Sequence, residues 1–277
     1  MAQIELIDFP KPWLLFYAAM TLSLLYMAFA FFRKWQGWSR GFSEPVSEER
    51  DFRRAVKIWL AEVLLHRQLY ALSFSRWLIH ILIFYGFIGL AVLPGVAFVL
   101  RSSGYLAISD TFPRFYIHPQ GYVMMKVWGD SFGLMLLLGL VLAGIRRIVQ
   151  REAKQSSNQM DALLLALLLS VALSGFALEG LRCSLVPAEI ARYSYVARLF
   201  TPREAHALVQ LQPWLTACWT VHFLLVATLL GYLPHSKLMH SLLAPVIIAV
   251  NAAEEHTRED LYWPEMKKYR ATRSPRD

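Results

Sequence analysis

The chain has 277 residues, 56% hydrophobic and only 17% charged, and its 28 Lys and Arg against 20 Asp and Glu give a net charge of +8. So little charge on so apolar a chain excludes a water-soluble enzyme domain. Two cysteines, Cys183 and Cys218, are too few for an iron–sulfur cluster, a zinc finger or a disulfide framework, and without a Cys-x-x-Cys-His motif covalent c-type haem is excluded too.

The expected architecture is all-α, an integral membrane five-helix bundle, because the apolar residues fall into five stretches of about 18 to 23 residues, each able to cross a ~30 Å hydrocarbon layer as a helix. The expected spans are 12–32, 78–100, 127–145, 162–181 and 213–234, within a membrane domain of residues 1–250 followed by a polar tail, 251–277. The basic cluster that follows the first stretch, and the lack of a small-residue cleavage site, make it an uncleaved anchor by expectation. With the N-terminus outside and the C-terminus cytoplasmic, 20 of the 28 Lys and Arg fall on the inner side. The positive-inside rule selects that orientation, so the net charge reads as loop charge and no nucleic-acid partner is expected.

Between the first two spans, residues 51–72 interleave Arg53, Arg54, Lys57 and Arg67 with Ile58, Leu60, Val63, Leu64 and Leu69. That pattern predicts an interfacial amphipathic helix, resting on anionic lipid or docking a soluble partner. The second span opens with Arg-Trp-Leu-Ile-His, which puts His80 a short way in from the inner side. The outer loop that follows carries His118. Span three brings Lys126 and Asp130, and span four ends in Glu179 and Arg182, spaced i, i+3 so that they can pair with one another. Span five carries His222, with His235 and His240 beyond it.

Ionisable side chains inside a bilayer are costly, so those in or beside the spans are functional candidates. His222 and His240 are 18 residues apart, five turns of an α-helix, which predicts both imidazoles on one helix face about 27 Å apart. His80 and His240 come to similar depth at the inner level. Two imidazoles opposed across a planar macrocycle are how a helix bundle holds b-type haem without a covalent link. At the outer level residues 81–117 contain no histidine, and His118 is either a solvated loop residue or the second ligand. His66 and His235 read as headgroup-layer residues, His206 and His256 as surface residues.

The segment Leu-Pro-His-Ser-Lys-Leu-Met-His, 233–240, with His222 before it, resembles the fifth helix of the respiratory nitrate reductase gamma subunit, a family of five spans, an outer N-terminus and two b haems. Residues 67–87 (Arg-Gln-Leu-Tyr-Ala-Leu-Ser-Phe-Ser-Arg-Trp-Leu-Ile-His-Ile-Leu-Ile-Phe-Tyr-Gly-Phe) and 174–182 (Ser-Gly-Phe-Ala-Leu-Glu-Gly-Leu-Arg) are similar, within that larger family, to the cytochrome b subunits of heterodisulfide reductase-related transmembrane redox complexes of sulfate-reducing bacteria. The resemblance covers about residues 12–250. It implies that His80 and His240 ligate an inner haem and that His222 ligates an outer one. Where the nitrate reductase pattern has a second histidine ten residues after the first, this chain has Leu90, which cannot bind iron.

The function expected is that of a membrane cytochrome b subunit in the inner membrane of a prokaryote. It passes electrons through one or two b haems between membrane quinone and an iron–sulfur, heterodisulfide reductase-like subunit on the cytoplasmic side. Lys126, Asp130 and Glu179 are the candidates for quinone proton transfer, each with a structural helix-end reading beside it. The alternatives are a membrane anchor with one structural haem or none, and a transporter, which lacks the broken-helix repeats of that class.

Overall fold

The computed structural model describes residues 13–39, 52–105, 119–149, 159–185, 188–201, 208–241 and 243–249. Among the described residues there are helices and turns and no strand. In chain order the helices are α1 (Trp13–Ser39), α2 (Phe52–Trp59), α3 (Arg67–Leu72), α4 (Phe74–Tyr105), α5 (Pro119–Val149), α6 (Gln159–Cys183), α7 (Ala188–Ala191) and α8 (Leu208–Tyr232). Four of the described helices contain segments long and apolar enough to cross a membrane: Phe74–Ala97, Val123–Val149, Asp161–Cys183 and Leu211–His235. Each overlaps one of the last four expected spans, with ends that differ by a few residues. The first expected span lies in α1, which is 27 residues long but carries Arg33, Lys34 and Gln36 in its last two turns and is not among the four.

The chain divides into two units, one of Met1–Met27 with Leu78–Ser236 and one of Ala28–Trp77 with Lys237–Asp277. In the first unit the helices meet along seams of small residues, which let backbones approach where no solvent-driven burial helps. A Cβ on Gly86 of α4 would lie 2.5 Å from the Leu136 backbone nitrogen of α5, and one on Gly139 would lie 2.9 Å from the nitrogen of Ile83. Gly89 leaves the space that the Phe132 ring fills, and Gly133 of α5 faces the Phe176 ring of α6. Buried Leu136, Leu140, Leu168 and Leu229 complete the interior, whereas Leu22, Val92, Trp128, Leu138 and Leu224 point outward. An apolar exterior of this kind suits hydrocarbon rather than water.

The second unit departs from the single amphipathic helix expected over 51–72. Helix α2 runs into a π-helical turn, Leu60–Leu64, and the helix breaks at His66, whose φ of 51° is left-handed. The Glu62 carboxylate accepts from Arg67 Nε (3.2 Å) and from the Gln68 N–H (3.1 Å), which starts α3 afresh on a new axis. Indole donors fix the piece: Trp77 Nε1 donates to the Leu65 carbonyl (2.8 Å) and Trp59 Nε1 to the Pro245 carbonyl (2.9 Å). Tyr70, Phe74 and Trp77 stack beside it as an aromatic cluster of the kind that sits at headgroup level.

A second correction concerns the fifth span. The helix does not run unbroken from His222 to His240: α8 ends at Tyr232 and gives way to a 3-10 turn, Leu233–His235, and a bend at Ser236. Pro234 lacks the N–H that would continue the ladder, and its ring crowds the preceding turn. The expected common helix face and 27 Å rise therefore do not apply.

Candidate functional site

Two places in the first unit gather polar groups. The first lies where the start of α5 meets the end of α6, beneath the segment 188–201 that follows α6. Lys126, Asp130 and Glu179 come together there. The Lys126 ammonium, its side chain only 4% exposed, donates to Glu179 Oε1, and Arg182 Nη1 lies 3.4 Å from Glu179 Oε2. The i, i+3 pair expected within span four is therefore present, and Lys126 extends it across two helices. Ser194, fully buried, stands between them, with its Oγ 3.1 Å from Lys126 Nζ and 3.1 Å from Glu179 Oε1. The hydroxyl accepts from the ammonium and donates to the carboxylate, so neither charge is left unpaired in a dry setting.

Asp130, one turn beyond Lys126 and 3% exposed, is engaged differently. Its Oδ2 accepts the backbone N–H of Val196 (2.6 Å) and of Ala197 (3.2 Å), at the head of the 3-10 turn Ala197–Phe200. Tyr195 Oη lies 2.9 Å from Ser131 Oγ, and Phe200 stacks on Phe176. Gly180 permits this approach, since a Cβ there would meet the Ala197 carbonyl oxygen at 2.9 Å. The segment is thus seated on α5 and α6 by main-chain, hydroxyl and aromatic contacts together.

The second place is His222 on α8, half-buried against α6. Its Nδ1 lies 2.9 Å from Ser174 Oγ, and the same hydroxyl donates to the Val171 carbonyl at 3.1 Å. A hydroxyl has one proton. With that proton on the Val171 carbonyl, Nδ1 of His222 must carry its own hydrogen, and Nε2 keeps the lone pair. Gly175 leaves room for the ring, since a Cβ there would be 3.2 Å from His222 Cε1. His240, in the second unit, repeats the pattern: its Nδ1 faces the Lys237 carbonyl, so its lone pair is again at Nε2. This is the state in which imidazole binds a metal, its other nitrogen held by an acceptor.

His80 sits early in α4, its ring stacked on Phe84 at 6.3 Å. His118 lies outside the described residues, as do His206 and His256. His235 Nε2 lies 2.7 Å from the Tyr26 hydroxyl, a tie between the end of α8 and α1. Burial lowers the pKa of His66 from its ordinary value, helped by His240 and opposed by the Leu64 carbonyl and Glu62, so that imidazole is neutral near pH 7. Sequence reasoning missed Ser194 and Tyr195, which carry no motif, and it met Ser174, Gly175 and Gly180 only as part of the 174–182 segment, without the contacts that depend on them.

Four apolar helices long enough to cross a membrane, with a buried ion cluster at the meeting of two of them, define the class as an all-helical multi-pass membrane protein. Over residues 56–248 the chain matches the HdrE family, described as the E component of dihydromethanophenazine:CoB–CoM heterodisulfide reductase. The chain belongs to that family, whose members are membrane subunits of a redox complex. It is 24% identical to the HdrE-type subunit of Methanosarcina mazei over 269 residues, covering 86% of this chain and 92% of that one. It is 28% identical to the Methanosarcina thermophila protein of the same description over 131 residues, 47% of this chain and about half (48%) of the relative. The Methanosarcina acetivorans protein is 24% identical over 235 residues, 82% of this chain and 76% of that one. No solved structure matches the chain.

Proposed function

We propose that this chain is the cytochrome b subunit of a heterodisulfide reductase-type complex, passing electrons between a lipid-soluble carrier and an iron–sulfur subunit on the cytoplasmic side. The relatives are named for dihydromethanophenazine as their reductant; for this chain the carrier class is a quinone or a comparable two-electron, two-proton molecule. The proposed topology has five spans, α1 included, in a prokaryotic inner membrane with the N-terminus outside. The nitrate reductase gamma-like histidine pattern supplies the ligands: His80 and His240 for an inner b haem, His222 for an outer one, with His118 as its second ligand in place of Leu90.

The observation that carries this reading is the setting of His222 and His240, whose Nδ1 atoms face the Ser174 hydroxyl and the Lys237 carbonyl, the arrangement that holds an imidazole ring when Nε2 binds a metal. Such imidazoles fit b haem iron. When bound, the haem supplies one-electron transfer across the bilayer. The chain's own residues do the rest. Ser174 and the Val171 carbonyl hold the His222 ring, and Gly175 clears its flank. At the outer level the Lys126, Asp130 and Glu179 cluster gives the carrier's protons a place to go as its electrons leave.

Reduced-minus-oxidised spectra of the purified complex, with a haem-to-protein ratio, test the reading. Two b haems are expected, with His222→Ala and His118→Ala each losing the same one. A complex without b-type absorbance supports the anchor reading instead and overturns this one.

A further inference from the structure

The outer cluster is proposed above to exchange protons with the carrier, but its ionisable groups are not equivalent. Oδ2 of Asp130 accepts two main-chain N–H groups, those of Val196 and Ala197, where the 3-10 turn begins. The first N–H groups of such a turn have no partner within it, so Asp130 caps the turn from another helix. Two residues before Val196, the same stretch delivers the Ser194 hydroxyl between Lys126 Nζ and Glu179 Oε1. A proton carrier must gain and lose its proton in every turnover. If Asp130 did so, each protonation would weaken both charge-assisted bonds and slacken the stretch that places Ser194.

Glu179 is placed otherwise. Its carboxylate meets Lys126 on one oxygen and Arg182 on the other, with side chains 22% and 37% exposed for Glu179 and Arg182, so the pair reaches the surface while Lys126 and Asp130 do not. A proton taken up there can leave without breaking any main-chain contact.

We propose that Asp130 is a positioning residue. It clamps residues 194–197 so that Ser194 bridges Lys126 and Glu179, and Glu179 is the group that takes protons from the carrier's hydroxyls as its electrons pass to b haem. The inference rests on the proposed outer carrier site and assigns unequal roles within it.

The test uses the intact complex in membranes, with Asp130→Asn, Asp130→Ala and Glu179→Gln. Two readouts are taken: hydrogen–deuterium exchange of a peptide spanning 194–200, and the pH profile of haem reduction by duroquinol. The amide introduced by Asp130→Asn keeps an oxygen that can accept both N–H groups but loses the charge, so a rise in exchange smaller than that of Asp130→Ala and a retained pH-dependent limb, at a lower rate, are expected. Asp130→Ala should raise exchange by about tenfold or more and slow reduction at every pH. Glu179→Gln should leave exchange unchanged and abolish the pH-dependent limb. Loss of the pH-dependent limb in Asp130→Asn makes Asp130 the proton carrier and overturns the division of roles. Unchanged exchange in Asp130→Ala overturns the clamp. A wild-type rate and profile in Glu179→Gln overturns the outer-site reading itself, and the exchange data then still report separately whether the clamp exists.

Discussion

The proposed ligand role of His222 can be tested without touching the histidine, through the glycine that faces it. A Cβ on Gly175 would sit 3.2 Å from His222 Cε1, 3.8 Å from Nδ1 and 3.9 Å from Nε2. Gly175→Ala therefore asks the ring to give by a few tenths of an ångström, which tilts a coordinated imidazole without displacing it. Gly175→Val extends ~1.5 Å further toward the ring, which moves it off the Ser174 hydroxyl. Overpacking of that degree with loss of one hydrogen bond costs about 2–4 kcal/mol, or about thirtyfold to nearly a thousandfold in ligand affinity. The expected outcome is a retained haem with a shifted midpoint potential in the Ala variant and loss of one haem in the Val variant, read by pyridine haemochrome ratio and redox titration. The haem assigned to His80 and His240 should persist and serves as the internal control for folding. A Val variant with the wild-type haem ratio and an unaltered spectrum would refute the assignment.

Three further outcomes are expected. His80→Ala and His240→Ala should each remove the same haem, and unchanged haem content in both would end their assignment. Removing the tail after Asn251 should weaken co-purification of an iron–sulfur subunit from the cytoplasmic side, and a partner recovered on the opposite face would overturn the topology. Gly86→Val forces a side chain into the Leu136 backbone and should cost about 1–3 kcal/mol or more, lowering the thermal midpoint, whereas Gly95→Ala, with nothing within 4 Å of its added Cβ, should be neutral or stabilising. Equal midpoints for the two variants would contradict the close α4–α5 seam.

The last four expected spans were legible because hydropathy over a fixed length is set by the bilayer and needs no knowledge of neighbours. The ionisable candidates were legible for the same reason: Lys126, Asp130 and Glu179 stood out against apolar surroundings. What each touches was not. Asp130 bonds to backbone amides, which every residue but proline has, so nothing at Val196 or Ala197 marks them as its partners. Ser194 looks like any loop serine until the segment is seated on α5 and α6. The break in the fifth span is a different failure, because Pro234 was in plain sight. The 18-residue interval was read as five helical turns although a proline inside it ends the ladder. His66 hides its break more thoroughly, since its left-handed φ follows from the Glu62 and Trp77 bonds on either side rather than from its own identity.

The two carboxylates of the Lys126 cluster have different partners, so protonation has different structural consequences at each. Two carboxylates, Asp130 and Glu179, stand against two cations, Lys126 and Arg182, so the cluster is neutral when all four are ionised. Burying any one alone costs several kcal/mol, and removing one partner leaves an uncompensated charge worth about 3–5 kcal/mol. Protonating a carboxylate has the same electrostatic consequence, because it leaves one excess positive charge. At Glu179 that excess is shared by its two ion partners, buried Lys126 and Arg182, and the Arg182 side chain, 37% exposed, reaches the surface. At Asp130 the Lys126–Glu179 pair would stay, but the two charge-assisted bonds from the Val196 and Ala197 N–H groups that cap the 3-10 turn would weaken. Protonation at Glu179 therefore leaves the main-chain seating of residues 194–197 intact, whereas protonation at Asp130 loosens it, which suits Asp130 to hold the fold.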